Sequence, residues 1–103
     1  MAADAPQKTF DLAISRGAVP KEQRLLRVDK GDLVRIRLKA DTPGEVHLHA
    51  YRLDTKVTPG STSELKFTAR ATGRFRIEWH PAGEASKGDH HGPPLARLEV
   101  RPK

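Results

Sequence analysis

Phe10, Leu12 and Ile14 alternate with Thr9, Asp11, Ala13 and Ser15, a period of two that lines one face of a β-strand with apolar side chains. The period recurs along most of the chain. Leu26 and Val28 carry it into a Lys30-Gly31-Asp32 turn, whose residue types favour chain reversal. Val34, Ile36 and Leu38 then alternate with Arg35, Arg37 and Lys39, the clearest such run in the sequence. Asp41-Thr42-Pro43-Gly44 breaks the pattern, which predicts another strand over Val46–Tyr51 and a turn at Thr58-Pro59-Gly60-Ser61. Leu65, Phe67 and Ala69 alternate with Glu64, Lys66, Thr68 and Arg70. Beyond Thr72-Gly73, Phe75, Ile77 and Trp79 alternate with Arg74, Arg76 and Glu78, and Leu98 with Val100 marks a last strand.

About seven short strands with Gly and Pro turns every ten residues or so predict an all-β fold, an antiparallel sandwich or small barrel. No window has a convincing helical period, and Val19–Leu26 has room for a turn or two at most. The expected core is Phe10, Leu12, Leu26, Val34, Ile36, Phe67, Phe75, Ile77, Trp79 and Leu98. At 103 residues the chain is one domain, expected over 9–103 after a flexible N-terminal segment, 1–8. The one long irregular stretch is Pro81–Pro94, PAGEASKGDHHGPP. Loops of that length inside a small domain usually carry function or move.

Composition narrows the chemistry. There is no cysteine and the one methionine is Met1, which excludes disulfides, thiolate zinc sites, iron–sulfur clusters and cysteine nucleophiles, and speaks against a thioether copper ligand. Enzyme motifs are missing too. Ser61 and Ser63 lack a nucleophile elbow, no phosphate-binding glycine loop occurs, and Asp89-His90 reads as a loop Asp beside a loop His. The chain is therefore not expected to be an enzyme. Its net charge of +6 and pI near 10.1 favour acidic partners, including an acidic protein. Nucleic acid should bind only weakly and be released at physiological salt. No apolar run approaches the 18 residues of a membrane span. Met1–Pro6 has neither the basic nor the apolar region of a signal peptide. It reads as the polar start of a mature exported protein with an initiator Met in front, so a periplasmic location is expected. A cytosolic protein with a frayed terminus is the alternative.

Five histidines fall on two segments: His47 and His49 on one predicted strand, and His80, His90 and His91 at or in the long loop. Imidazoles at i and i+2 of a strand project to one face, where they can chelate one ion. Three or four imidazoles without thiolate suit Cu(II), Zn(II) or Ni(II), with Cu(II) bound most tightly. The other reading is a hydrogen-bonded surface pair and two solvated loop residues. Strand phase leaves both orientations open. With Val46, Leu48 and Ala50 inside, His47, His49 and Tyr51 face water; with Tyr51 inside, the pair points inward.

Four stretches in this order resemble the cupredoxin superfamily, and specifically the small bacterial cupredoxin-like domains. LLRVDKGDLVRIRL (25–38) is similar to the family's strand, turn and strand. EVHLHAYRL (45–53) resembles its histidine-bearing strand, and VTPGSTSELKFTARATGRFRIEW (57–79) the two strands that lead to the metal loop. Residues 81–94 and the following LARLEV stand where its ligand loop and last strand stand. The resemblance implies a Greek-key sandwich of seven to eight strands whose two histidine segments meet at one end. It places His49 at the first histidine ligand, Tyr51 at a core aromatic and His90 or His91 near the loop histidine. Trp79 falls at or beside the family's cysteine, so a blue-copper electron carrier is not expected.

Three functions follow as expectations. The first is a metal-binding protein holding one Cu(II) through His49 with His47, His80 and His90 or His91, for storage, delivery or resistance. The second is a metal-free interaction module using a basic face of Arg35, Arg37, Lys39, Arg74 and Arg76. A nucleic-acid-binding barrel comes last, because Phe10, Phe67, Phe75 and Trp79 share the apolar phase, whereas stacking platforms need exposed aromatics.

Overall fold

The computed structural model describes residues 7–82 and 94–102. Among them the alternating segments form eight strands: β1 (Gln7–Ile14), β2 (Leu25–Asp29), β3 (Leu33–Ala40), β4 (Gly44–Leu48), β5 (Leu53–Val57), β6 (Ser63–Thr68), β7 (Gly73–Pro81) and β8 (Ala96–Arg101). They make two sheets, ordered β1-β3-β6 and β2-β8-β7-β4-β5. Between the sheets lies a core that includes Leu12, Ile36, Leu38, Leu48, Ile77 and Leu98. Burying each such side chain stabilises the fold by about 1.5–3 kcal/mol relative to leaving it exposed. The architecture is an all-β sandwich. The only helical segments among the described residues are 3₁₀ turns at Lys21–Gln23 and His49–Tyr51, and no helix there is long and apolar enough to cross a membrane.

Leu12, Leu26, Val34, Ile36, Ile77, Trp79 and Leu98 are buried as the alternation predicts. Phe10, Phe67 and Phe75 are only partly buried and pack against the edge of the core. The sheets are mixed, not purely antiparallel as expected: β1 runs parallel to β3, with Phe10 opposite Ile36, and β2 runs parallel to β8. Parallel neighbours need a crossover. Here the chain leaves the first sheet after β1, lays β2 in the second, and returns as β3 beside β1.

The first strand starts at Gln7, so Gln7 and Lys8 belong to the sheet and not to a flexible segment; residues 1–6 lie outside the described residues. A buried carboxylate accounts for the early start. Gly31 turns the chain at φ +97°, and Asp32, 1% exposed, is carried inside. Its Oδ2 accepts the Asp29 N–H at 2.8 Å and the Lys8 ammonium at 2.9 Å. A buried carboxylate is tolerated only when paired and hydrogen-bonded, and β1 supplies the pairing cation.

Candidate metal centre

β4 lies inside the five-stranded sheet between β7 and β5. Val46 and Leu48 are fully buried, so Glu45 and His47 occupy the opposite face, turned away from the core. The strand ends at Leu48, three residues earlier than expected. His49–Tyr51 form a 3₁₀ turn closed by Arg52, which is left-handed at φ 56° and donates its N–H to the His49 carbonyl at 2.9 Å. The chain then returns as β5, with Leu48 opposite Leu53. This turn resolves the ambiguity of phase. A continuous strand would put His49 and Tyr51 on one side; the 3₁₀ turn leaves His49 exposed while Tyr51 packs on Phe67 and Phe75, with ring centroids 4.8 and 5.5 Å away.

Antiparallel pairing with β7 brings in the third histidine. His80 stands opposite Glu45, and Glu78 opposite His47. His47 is the middle ring of three: its centroid is 5.2 Å from that of His49, stacked, and 4.5 Å from that of His80, edge-on. One ring nitrogen from each of His47, His49 and His80 lies within 4.8 Å of the other two. Imidazoles sharing one ion stand about 3–4 Å apart, from metal–nitrogen distances near 2.0–2.1 Å, so small side-chain rotations suffice to close the set. The donors therefore fit a transition metal. His90 and His91 lie outside the described residues.

Acidic side chains surround the triad. The His47 Nε2 and Glu45 Oε1 atoms are 3.0 Å apart. Asp54 on β5 and Glu78 on β7 flank His47 in register. Glu78 is 8% exposed; Oε2 accepts Arg76 Nε–H at 2.6 Å, while Oε1 is buried with no hydrogen-bond partner among the described residues. Glu45 and Asp54, with Glu78 offset by its pair with Arg76, favour a cation beside the three imidazoles.

Gly44 explains how β4 and β7 approach. It is the first residue of β4, opposite Pro81, and not the last residue of a turn as its sequence context suggested. A Cβ at this position would lie 2.5 Å from the Trp79 ring and 2.7 Å from the His80 carbonyl oxygen. Gly44→Ala should therefore destabilise the protein by about 1–3 kcal/mol, the usual effect of overpacking. Urea unfolding together with near-ultraviolet circular dichroism of Trp79 checks this; an unchanged midpoint would show that the strands can part without loss.

The expected basic face is not one surface. Arg35, Arg37 and Lys39 lie on β3 in one sheet, whereas Arg74 and Arg76 lie on β7 in the other. The two sets sit on opposite outsides of the sandwich. Several are paired as well: Arg35 with Glu64 at 3.7 Å, Arg37 with Asp11 at 3.6 Å, and Arg76 with Glu78.

No protein-family model matches the chain, and no curated protein matches it in sequence. Solved structures do match in fold. A blue copper oxidase from Nitrosomonas europaea is 22% identical, with a TM-score of 0.68 over 94% of this chain and 39% of that one. A copper nitrite reductase from Nitrosomonas europaea is 23% identical, with a TM-score of 0.68 over 94% and 42%. The chain thus spans well under two thirds of the length of either. A copper binding protein, solved by NMR in the apo form, is 12% identical with a TM-score of 0.68, over 97% of this chain and 93% of that one. The chain thus shares the fold of these copper proteins, a cupredoxin-like β-sandwich. Within that fold its cluster of three histidines has the donors to hold a metal ion, the buried Trp79 stands in β7 directly before His80, and the chain has no cysteine to supply a thiolate.

Proposed function

We propose that this protein holds copper as cargo in the periplasm, through histidine side chains, for storage, delivery or resistance. It acts as a carrier and not as an enzyme. The observation that carries this reading is the approach of His47, His49 and His80 to within 4.8 Å at their ligand atoms. Imidazole donors without sulfur suit Cu(II) better than Cu(I), and Cu(II) binds such sites more tightly than other divalent first-row ions. The fold likeness to copper proteins supports copper over zinc or nickel. His90 and His91 are the candidates for further ligands. With no cysteine in the chain, a blue-copper centre and its electron transfer have no thiolate to rest on. The competing interaction module loses the contiguous basic face on which it depended.

Copper retention should fall as the solution is made acidic. An imidazole ligates only when neutral, so protons compete with the metal for each ring nitrogen. Trp79 precedes His80 directly in β7, which puts an indole within quenching range of a bound paramagnetic ion. Titration of Cu(II) into the metal-free protein, followed by tryptophan fluorescence, should show saturable quenching at pH 7.5 and little at pH 5. Equal quenching at both would contradict ligation by imidazole.

A further inference from the structure

We infer that Glu45 is the positioning residue of the histidine cluster and selects the nitrogen with which His47 binds metal. This rests on the copper reading above and adds the device that readies the site. Glu45 and His47 are two apart on β4 and share its outer face, and Glu45 also stands opposite His80 across the β4–β7 pair. It thus adjoins two of the three histidines. Its Oε1 lies 3.0 Å from His47 Nε2, with the Glu45 side chain 32% and the His47 side chain 19% exposed. An ionised carboxylate accepts hydrogen bonds and cannot donate them. Nε2 must then carry the hydrogen, and the ring's lone pair resides on Nδ1. A carboxylate that holds a ligating imidazole in this way fixes its tautomer and orientation and makes the other nitrogen more basic. His47 is the middle ring of the three, so its tautomer bears on the whole set.

The role is distinct from that of a general negative charge. Asp54 and Glu78 flank His47 in register, and Glu78 is already engaged by Arg76. Glu45 is the carboxylate in contact with His47 Nε2. Glu45→Gln keeps the shape and removes the charge. The weaker amide can accept from Nε2–H or, turned over, donate to Nε2, so the preference between tautomers should be lost.

The test begins with the metal-free full chain. Long-range ¹H–¹⁵N correlation spectra at pH 8 should show His47 in the Nε2–H form in the wild type and as a mixture in Glu45→Gln. Competition with a chelator for Cu(II) should then show a roughly 10–100-fold loss of affinity in Glu45→Gln, the range typical of such outer partners, with the melting temperature unchanged. In a His47→Ala background the same substitution should change affinity by less than about twofold. A wild-type His47 in the Nδ1–H form would overturn the inference. So would unchanged affinity in Glu45→Gln, or a full loss that persists without His47, which would mark Glu45 as bulk charge only. Wild-type protein that takes up no copper would instead remove the copper reading, a failure distinguishable from these because it appears before any substitution is made.

Discussion

Replacing Trp79 by alanine should lower the unfolding free energy by about 3–5 kcal/mol, the usual loss for a buried tryptophan. A domain of this size has about 5–15 kcal/mol in all, so the variant will sit near the edge of folding. Trp79 is 6% exposed. Its ring lies over Gly44 of β4 and faces Gly17 in the crossover after β1. It therefore ties the histidine-bearing strands to the connection between the sheets. Removing the ring leaves a cavity that the backbone at Gly44 has no side chain to fill, which places the loss toward the upper end of the range. Urea unfolding followed by far-ultraviolet circular dichroism measures it. A loss below 1 kcal/mol would mean that the tryptophan is not the keystone of this contact.

The second large effect is on copper. His47→Ala should weaken Cu(II) binding by more than about 100-fold, beyond the range for an outer partner, since it removes a ligand. His47 is the substitution of choice because its ring lies between the other two. His49→Ala and His80→Ala should each weaken binding as well. His49 is exposed, so its loss should leave stability within about 0.5 kcal/mol, which separates a ligand's role from a packing role. Chelator competition and thermal melts on the three variants give both quantities. Loss of affinity accompanied by an equal loss of stability in all three would point to general disruption of β4 and β7.

The apolar phase was legible for the aliphatic positions of the alternating runs, whereas Phe10, Phe67 and Phe75 on the same phase are only partly buried. Val34, Ile36 and Leu38 on β3, and Ile77 and Trp79 on β7, are inside as their spacing requires. β5 was not legible. Leu53, Thr55 and Val57 do alternate with Asp54 and Lys56, but only one large aliphatic side chain in this run, Val57, is fully buried. The parallel pairings of β1 and β2 depend on which sheet each strand joins, and period two carries no information about that. At the site, the gathering of His47, His49 and His80 was expected from the cupredoxin resemblance, although not from spacing alone. The 3₁₀ turn at His49–Tyr51 was hidden because it hinges on a left-handed Arg52, a conformation that no residue type there announces. Glu45 was missed although the signal was present: it shares the i, i+2 phase of His47, which puts its carboxylate on the histidine face.

The central claim is that three imidazoles, His47 and His80 on one sheet face and His49 on the turn after β4, bind copper. Stepwise addition of Cu(II) to the metal-free chain, with electron paramagnetic resonance of the wild type and His49→Ala, tests it most directly. The account predicts uptake of one equivalent, weak d–d absorption without an intense blue band, and nitrogen hyperfine structure from at least three imidazoles that drops by one in His49→Ala. No uptake above background, or a His49→Ala spectrum and affinity equal to those of the wild type, would contradict it.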